Sequence, residues 1–123
     1  MVWKGDTGMT QTSVFINTEK EFFHRYKDAP EEVWYLRNIH RHLLHIKVEV
    51  EVFSDDREIE FIMLKHNIDK YLSTMRYDEN DSCEILGNML LLYVLSEYGH
   101  ERDIDITISE DGENGVCVTY RKE

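Results

Sequence analysis

The sequence predicts an α+β domain, an antiparallel sheet with two helices packed on one of its faces. Two early stretches alternate apolar and polar residues with period two, two central stretches carry apolar residues at helical spacing, and the end alternates again on both sides of a glycine-containing turn. Strands and helices therefore come in blocks, in the order strand, strand, helix, helix, strand, strand. Such blocks favour an antiparallel sheet over a βαβ repeat.

Residues 1–11 hold two glycines and little periodicity, and are expected to form a flexible tail before a single domain over residues 12–123. From Thr12 to Thr18, Val14 and Ile16 share one face of a short strand. Residues 19–39 contain the only proline, Pro30, and several aromatics, and are expected to be mostly irregular or to hold a short helical turn. The clearest strand runs from about His40 to Phe53. Its even positions His42, Leu44, Ile46, Val48, Val50 and Val52 make a dry face, and His45, Lys47, Glu49 and Glu51 a wet one. His40 and His42 open the dry side.

Phe61, Leu64, Ile68, Tyr71, Leu72 and Met75 then fall at helical spacing. A second helix is expected to start at a capping box made by Asp81 and Glu84 and to stop at Gly99. It carries an unbroken apolar run, residues 89–95. Two full helical turns cannot be hidden by one face against one sheet, which predicts a subunit interface; a helix enclosed within the chain is the alternative. Ile104, Ile106 and Ile108 alternate before a turn at residues 111–115, and Val116, Val118 and Tyr120 alternate after it, so the chain closes with a hairpin.

A 41% hydrophobic share beside 32% charged residues is that of an ordinary globular protein, and nothing approaches the roughly 18 apolar residues in a row of a membrane span. The start lacks an apolar signal region, so the expected location is cytoplasmic. A formal net charge of −11 argues against nucleic acid and acidic membranes as partners. Cys83 and Cys117 are too few for a disulfide framework and read as reduced thiols.

Six histidines raise the possibility of a metal site. Alternate residues on a strand point the same way, so His40 and His42 can offer two imidazoles to one ion. Zinc accepts neutral imidazole nitrogen, and its catalytic sites commonly pair three protein ligands with one open position. A third histidine has to come from His24, His45, His66 or His100; His45 is the poorest partner, on the opposite face, and the residues alone leave the others open.

The run Arg37-Asn38-Ile39-His40-Arg41-His42, with the alternating strand after it, resembles the Arg-Asn-Leu-His-Gly-His strand of the 6-pyruvoyl- and 6-carboxytetrahydropterin synthases. His24-Arg25-Tyr26 is similar to that family's upstream His-Arg-Leu. Glu60-Phe61-Ile62-Met63-Leu64-Lys65 and Ser82-Cys83-Glu84-Ile85-Leu86-Gly87 resemble its two helix starts, and Ile106-Thr107-Ile108-Ser109-Glu110 resembles its Val-x-Val-x-Glu. The resemblance spans about residues 12–121. It implies a T-fold (ββααββ) that assembles as a barrel-forming homo-oligomer, a trimer or hexamer. It also implies zinc on His24, His40 and His42, a pterin or purine-like ligand gripped by Glu110, and a lyase-type reaction on a reduced pterin such as dihydroneopterin triphosphate.

The chain departs from the family where protons move. Leu36 stands near the position of its cysteine, Glu31 and Glu32 lie further upstream, and Asp69-Lys70-Tyr71-Leu72 lacks the histidine of the family's Asp-His-x-x-Leu-Asn. Arg41 replaces a glycine and is expected to bring a long side chain beside the metal. His45, His66, Asp69 and Cys83 are the local candidates for a rebuilt relay, Cys83 because a helix N-terminus favours thiolate. Arg25, Arg37 or Arg41 would meet phosphates. Two further readings stay open: a catalytically degenerate T-fold protein that binds a pterin- or guanine-like ligand or a partner protein without turnover, and an acidic interaction protein without metal.

Overall fold

The computed structural model describes residues 10–123; residues 1–9 of the expected tail lie outside this range. Gln11 does not hang free, since its Nε2 donates to Glu51 and Asp103, 2.8 Å from each carboxylate.

Among the described residues a four-stranded antiparallel sheet is formed by β1 (Thr12–His24), β2 (His40–Val52), β3 (Ile104–Glu110) and β4 (Asn114–Tyr120), in that spatial order. Two α-helices, α1 (Phe61–Thr74) and α2 (Cys83–Tyr98), link β2 to β3, and a 3₁₀ segment (Glu31–Arg37) lies between β1 and β2. The strand, strand, helix, helix, strand, strand order is thus as expected.

Every strand turns its even-numbered residues toward the helices. Ile16, Phe22, Leu44, Ile46, Val48, Val50, Ile104, Ile106 and Ile108 are buried there with Leu64, Ile68 and Leu72 of α1 and Leu86, Leu90 and Val94 of α2. Helix α1 lies over β1, and α2 over β3 and β4. Gly87 permits the second approach, because a Cβ there would stand 2.7 Å from a Val118 methyl.

Strand β1 does not stop at Thr18. It runs to His24, beyond the expected short strand, and pairs with β2 down to His24 opposite His40. Its hidden continuation is chemical. Thr18 and Lys20 occupy dry-face positions, but the Thr18 hydroxyl donates to Asp69 and the Lys20 ammonium to the Leu72 carbonyl near the end of α1. A lysine at a helix C-terminus meets unpaired carbonyls and the negative end of the helix dipole, so both polar groups are satisfied where apolar side chains are expected.

Other details also differ. Ser82, not Asp81, caps α2, accepting from the Ile85 amide, while Asp81 closes the preceding turn by accepting from the Asp78 amide. Gly99 ends the helix as expected, at φ 90°, a conformation costly for other residues. Glu51 is buried rather than wet, because Lys122, Gln11 and the Asp103 amide converge on its carboxylate. The apolar run of α2 is covered by the chain itself apart from Leu92, which is 67% exposed. Tyr93 stacks on Tyr71 of α1 at 4.4 Å between ring centroids. The run therefore needs no subunit interface to account for it. No described helix is long and apolar enough to cross a membrane.

Candidate metal centre

The end of β1, the start of β2 and the end of β3 meet at one end of the sheet. His24, His40, His42 and Glu110 are all even-numbered and so face the helix side. Antiparallel register sets His24 directly across from His40, while His42 stands across from Phe22, one diagonal away. Directly paired residues of a ladder hold their Cβ atoms about 5 Å apart, and diagonal ones remain within reach of long side chains. The rings accordingly cluster, with centroids 4.5 Å apart for His24 and His40, 4.9 Å for His40 and His42, and 5.4 Å for His24 and His42.

The outer hydrogen bonds of the rings define their chemistry. His24 Nδ1 lies 3.2 Å from the Asp81 carbonyl, His40 Nδ1 2.8 Å from the Asn38 carbonyl, and His42 Nδ1 2.6 Å from the Asp111 carboxylate. All three partners only accept, so each Nδ1 carries the proton and donates. In the neutral ring each Nε2 is then a lone pair. Histidines that ligate metals typically give their other ring N–H to a carboxylate or backbone carbonyl, which fixes the tautomer and the ring orientation.

The residues fit a cation on one further observation. His24 Nε2 is buried and makes no hydrogen bond, even though Glu110 Oε2 lies 3.1 Å away. Two acceptors facing each other without a proton or cation between them repel. One potential ligand atom from each histidine lies within 4.8 Å of the others. A tetrahedral zinc with bonds near 2.05 Å holds its nitrogens about 3.3 Å apart, within reach of small side-chain rotations. Burial, followed by the positive tendency of the neighbouring His40 and His42, holds the His24 pKa below the ordinary imidazole value, against the opposing pull of the Asp81 carbonyl and Glu110. A neutral ring is the form a metal requires.

Asp111 is the residue the sequence reading passed over as a turn position. It adopts φ 57°, an uncommon conformation for a residue other than glycine. One carboxylate oxygen accepts from His42 Nδ1 and the other from the Leu43 amide. The His42 bond first, then the Leu43 amide, hold its pKa below the ordinary carboxylate value. The sequence carries no distinct signal for it, since only the register of β2 with β3 sets this turn beside the His-x-His strand. Replacing Asp111 with glycine keeps the backbone conformation accessible while removing the carboxylate. If the cluster holds zinc, its affinity should fall by about 10- to 100-fold with an unchanged far-UV circular dichroism spectrum, as a competitive chelator titration would measure.

A cavity of about 610 Å³ opens beside the cluster, bordered by His24, His40, Glu110, Arg25, Leu36 and Cys83 among others. Leu36 thus borders the site as an inert side chain. The candidates for a rebuilt proton relay are not gathered there, Cys83 apart. His45 lies on the opposite sheet face near Glu19, and Asp69 is bound to Thr18. Both border a separate depression of about 630 Å³ that none of the three clustered histidines lines. His66 is exposed on α1, and His100 is exposed and meets Tyr120 edge-on. Arg41 points away from the cluster and pairs with Glu21 at 2.8 Å, so it does not crowd the metal position as expected from the sequence.

Cys83 does border the cavity, but it is no ready nucleophile. Burial, and then the negative charge of Glu110, push its pKa up to about 12. Its thiol donates to Glu110 Oε2 at 3.7 Å. These effects outweigh the helix N-terminus. Iodoacetamide at pH 8 should modify the exposed Cys117 and spare the buried Cys83; peptide mass mapping with both thiols labelled at equal rates would contradict this. Arg25 borders the cavity but is paired with Glu79 at 3.2 Å, while Arg37 is engaged by Ala29 and Glu31.

Compared with protein-family models and with curated proteins, the sequence matches none.

Proposed function

We propose that this protein is a zinc-dependent T-fold enzyme of the tetrahydropterin synthase type, acting on a reduced pterin of the dihydroneopterin triphosphate kind or on a related purine-like heterocycle. The observation that carries the reading is the set of three imidazoles, each with its proton donated outward, beside a cavity large enough for a bicyclic ring. Drug-sized ligands occupy cavities of roughly 300–1,000 Å³. Zinc on His24, His40 and His42 would supply Lewis acidity toward a substrate oxygen, lowering the cost of removing a neighbouring proton.

The chain's own residues supply recognition. Glu110 borders the cavity, and its carboxylate can accept the paired N–H donors of a 2-amino-4-oxo pyrimidine edge. Arg25, at the rim with its guanidinium shared with Glu79, is the cation nearest to hand for a substrate phosphate. By the resemblance to the synthases the protein works as a homo-oligomer, a trimer or hexamer. Among the described residues β1 and β4 are the outer strands of the sheet, where strands of other copies would pair.

A second reading has its own support. Leu36 cannot transfer a proton, and the one thiol at the cavity is held protonated. Both favour a degenerate T-fold protein that binds a pterin- or guanine-like ligand without turnover. Calorimetry with the zinc-loaded protein and dihydroneopterin triphosphate or guanine, followed by product analysis, separates the two. Binding with turnover supports the enzyme, binding without turnover supports the second reading, and no binding of either ring contradicts both.

A further inference from the structure

We propose that Glu110 is a fourth, displaceable protein ligand of the metal. The inference rests on the three-histidine metal reading and is independent of which ring the cavity takes.

Glu110 ends β3 with Leu44 as its direct partner in β2, so on the shared face it stands diagonal to His42. A single oxygen, Oε2, approaches both His24 Nε2 at 3.1 Å and His42 Nε2 at 3.4 Å. In the neutral form that a metal requires, both rings carry their proton on the other nitrogen, donated to Asp81 and Asp111. Three acceptors therefore converge from three strands, and the buried Nε2 of His24 remains without a hydrogen bond.

Before any ring enters the cavity, the protein offers this carboxylate no strong hydrogen-bond donor. Among the described residues its carboxylate meets the two imidazoles and the Cys83 thiol at 3.7 Å, a weak donor. Arg25, which borders the same cavity, pairs with Glu79 instead. Carboxylate oxygen is an ordinary zinc ligand beside imidazole, with bonds of about 2.0–2.2 Å. Three neutral histidines and one carboxylate also leave the centre with a single net positive charge, easier to hold in a partly buried site than two. With Glu110 bound the site is closed at four ligands. A ring that offers paired N–H donors competes with the cation for the same carboxylate, and so exchanges a closed site for an open three-histidine one.

The test uses cobalt(II) in place of zinc, because its visible spectrum reports ligand number and identity. The wild-type protein should bind one cobalt per chain, and its spectrum should be insensitive to azide, which has no vacant position to enter. Glu110→Ala and the volume-conserving Glu110→Gln should bind cobalt at least about tenfold more weakly, and their spectra should shift on addition of azide. A wild-type cobalt spectrum that shifts with azide as readily as that of Glu110→Ala overturns the inference while leaving the metal site intact. Affinities within twofold of one another would do the same. Failure of the wild-type chain to bind cobalt at all removes the metal reading and this inference together.

Discussion

Alanine in place of His40 is expected to lower zinc affinity by more than about 100-fold, beyond the loss that removal of an outer-shell partner causes, without unfolding the chain. His40 is only half-buried, at the first position of β2, outside the apolar cluster between sheet and helices. Its removal leaves that core intact and relieves the crowding of three lone pairs. The effect should therefore separate into two readings. The far-UV spectrum and the metal-free urea midpoint should stay close to wild type. The zinc-induced rise in thermal midpoint should vanish; in the wild type it is worth about 4 kcal/mol of stability at a thousandfold excess over Kd. His42→Ala should behave alike. His24→Ala should combine the same metal loss with some loss of stability, because its ring lies 4.3 Å from Phe22. A zinc-dependent midpoint shift that survives His40→Ala would show that this ring is not a ligand.

The second large effect concerns Phe22, which links core and site. Its side chain is fully buried, with its ring 4.3 Å from that of His24 and 4.9 Å from that of Tyr77. Truncating a buried phenylalanine to alanine costs about 3–5 kcal/mol, transfer and cavity terms together, against about 5–15 kcal/mol for a whole domain. Phe22→Ala should therefore move the urea midpoint of the metal-free protein far down, or leave it partly unfolded. It should also loosen zinc, since the packing that orients His24 is gone. Phe22→Leu, a more conservative change, should recover most of both properties. A loss below about 1 kcal/mol for Phe22→Ala would contradict the packing described for this end of β1.

The two effects share a cause that the sequence showed only in part. Period-two alternation in β2 placed His40 and His42 on the dry face, and the structure puts them there. The closing hairpin was equally legible, because isoleucines and valines alternate on either side of a turn with Gly112 and Gly115. The second half of β1 was not. Thr18 and Lys20 broke the apolar pattern, and the carboxylate and carbonyl that satisfy them come from α1, some fifty positions further along the chain. With β1 cut short, nothing local could place His24 opposite His40. The resemblance supplied that histidine where periodicity could not. Asp111 escaped notice for a related reason: an aspartate in a hairpin turn has an ordinary explanation, and only the register that sets the turn beside His42 gives it another. Cys83 shows the same limit: a helix N-terminus is visible in sequence, whereas the burial and the Glu110 charge that oppose a thiolate are set by tertiary packing.

Zinc content tests the central claim most directly. The protein should be purified without chelator and without an affinity tag that binds metal, then measured by elemental analysis alongside its His24→Ala and His42→Ala variants. About one zinc per wild-type chain, falling sharply in both variants, is the result that the proposed zinc site predicts. Zinc far below one per chain in the wild type, with none taken up on addition of the free ion, would leave the cluster an aromatic packing arrangement and remove the basis for a metal-dependent function.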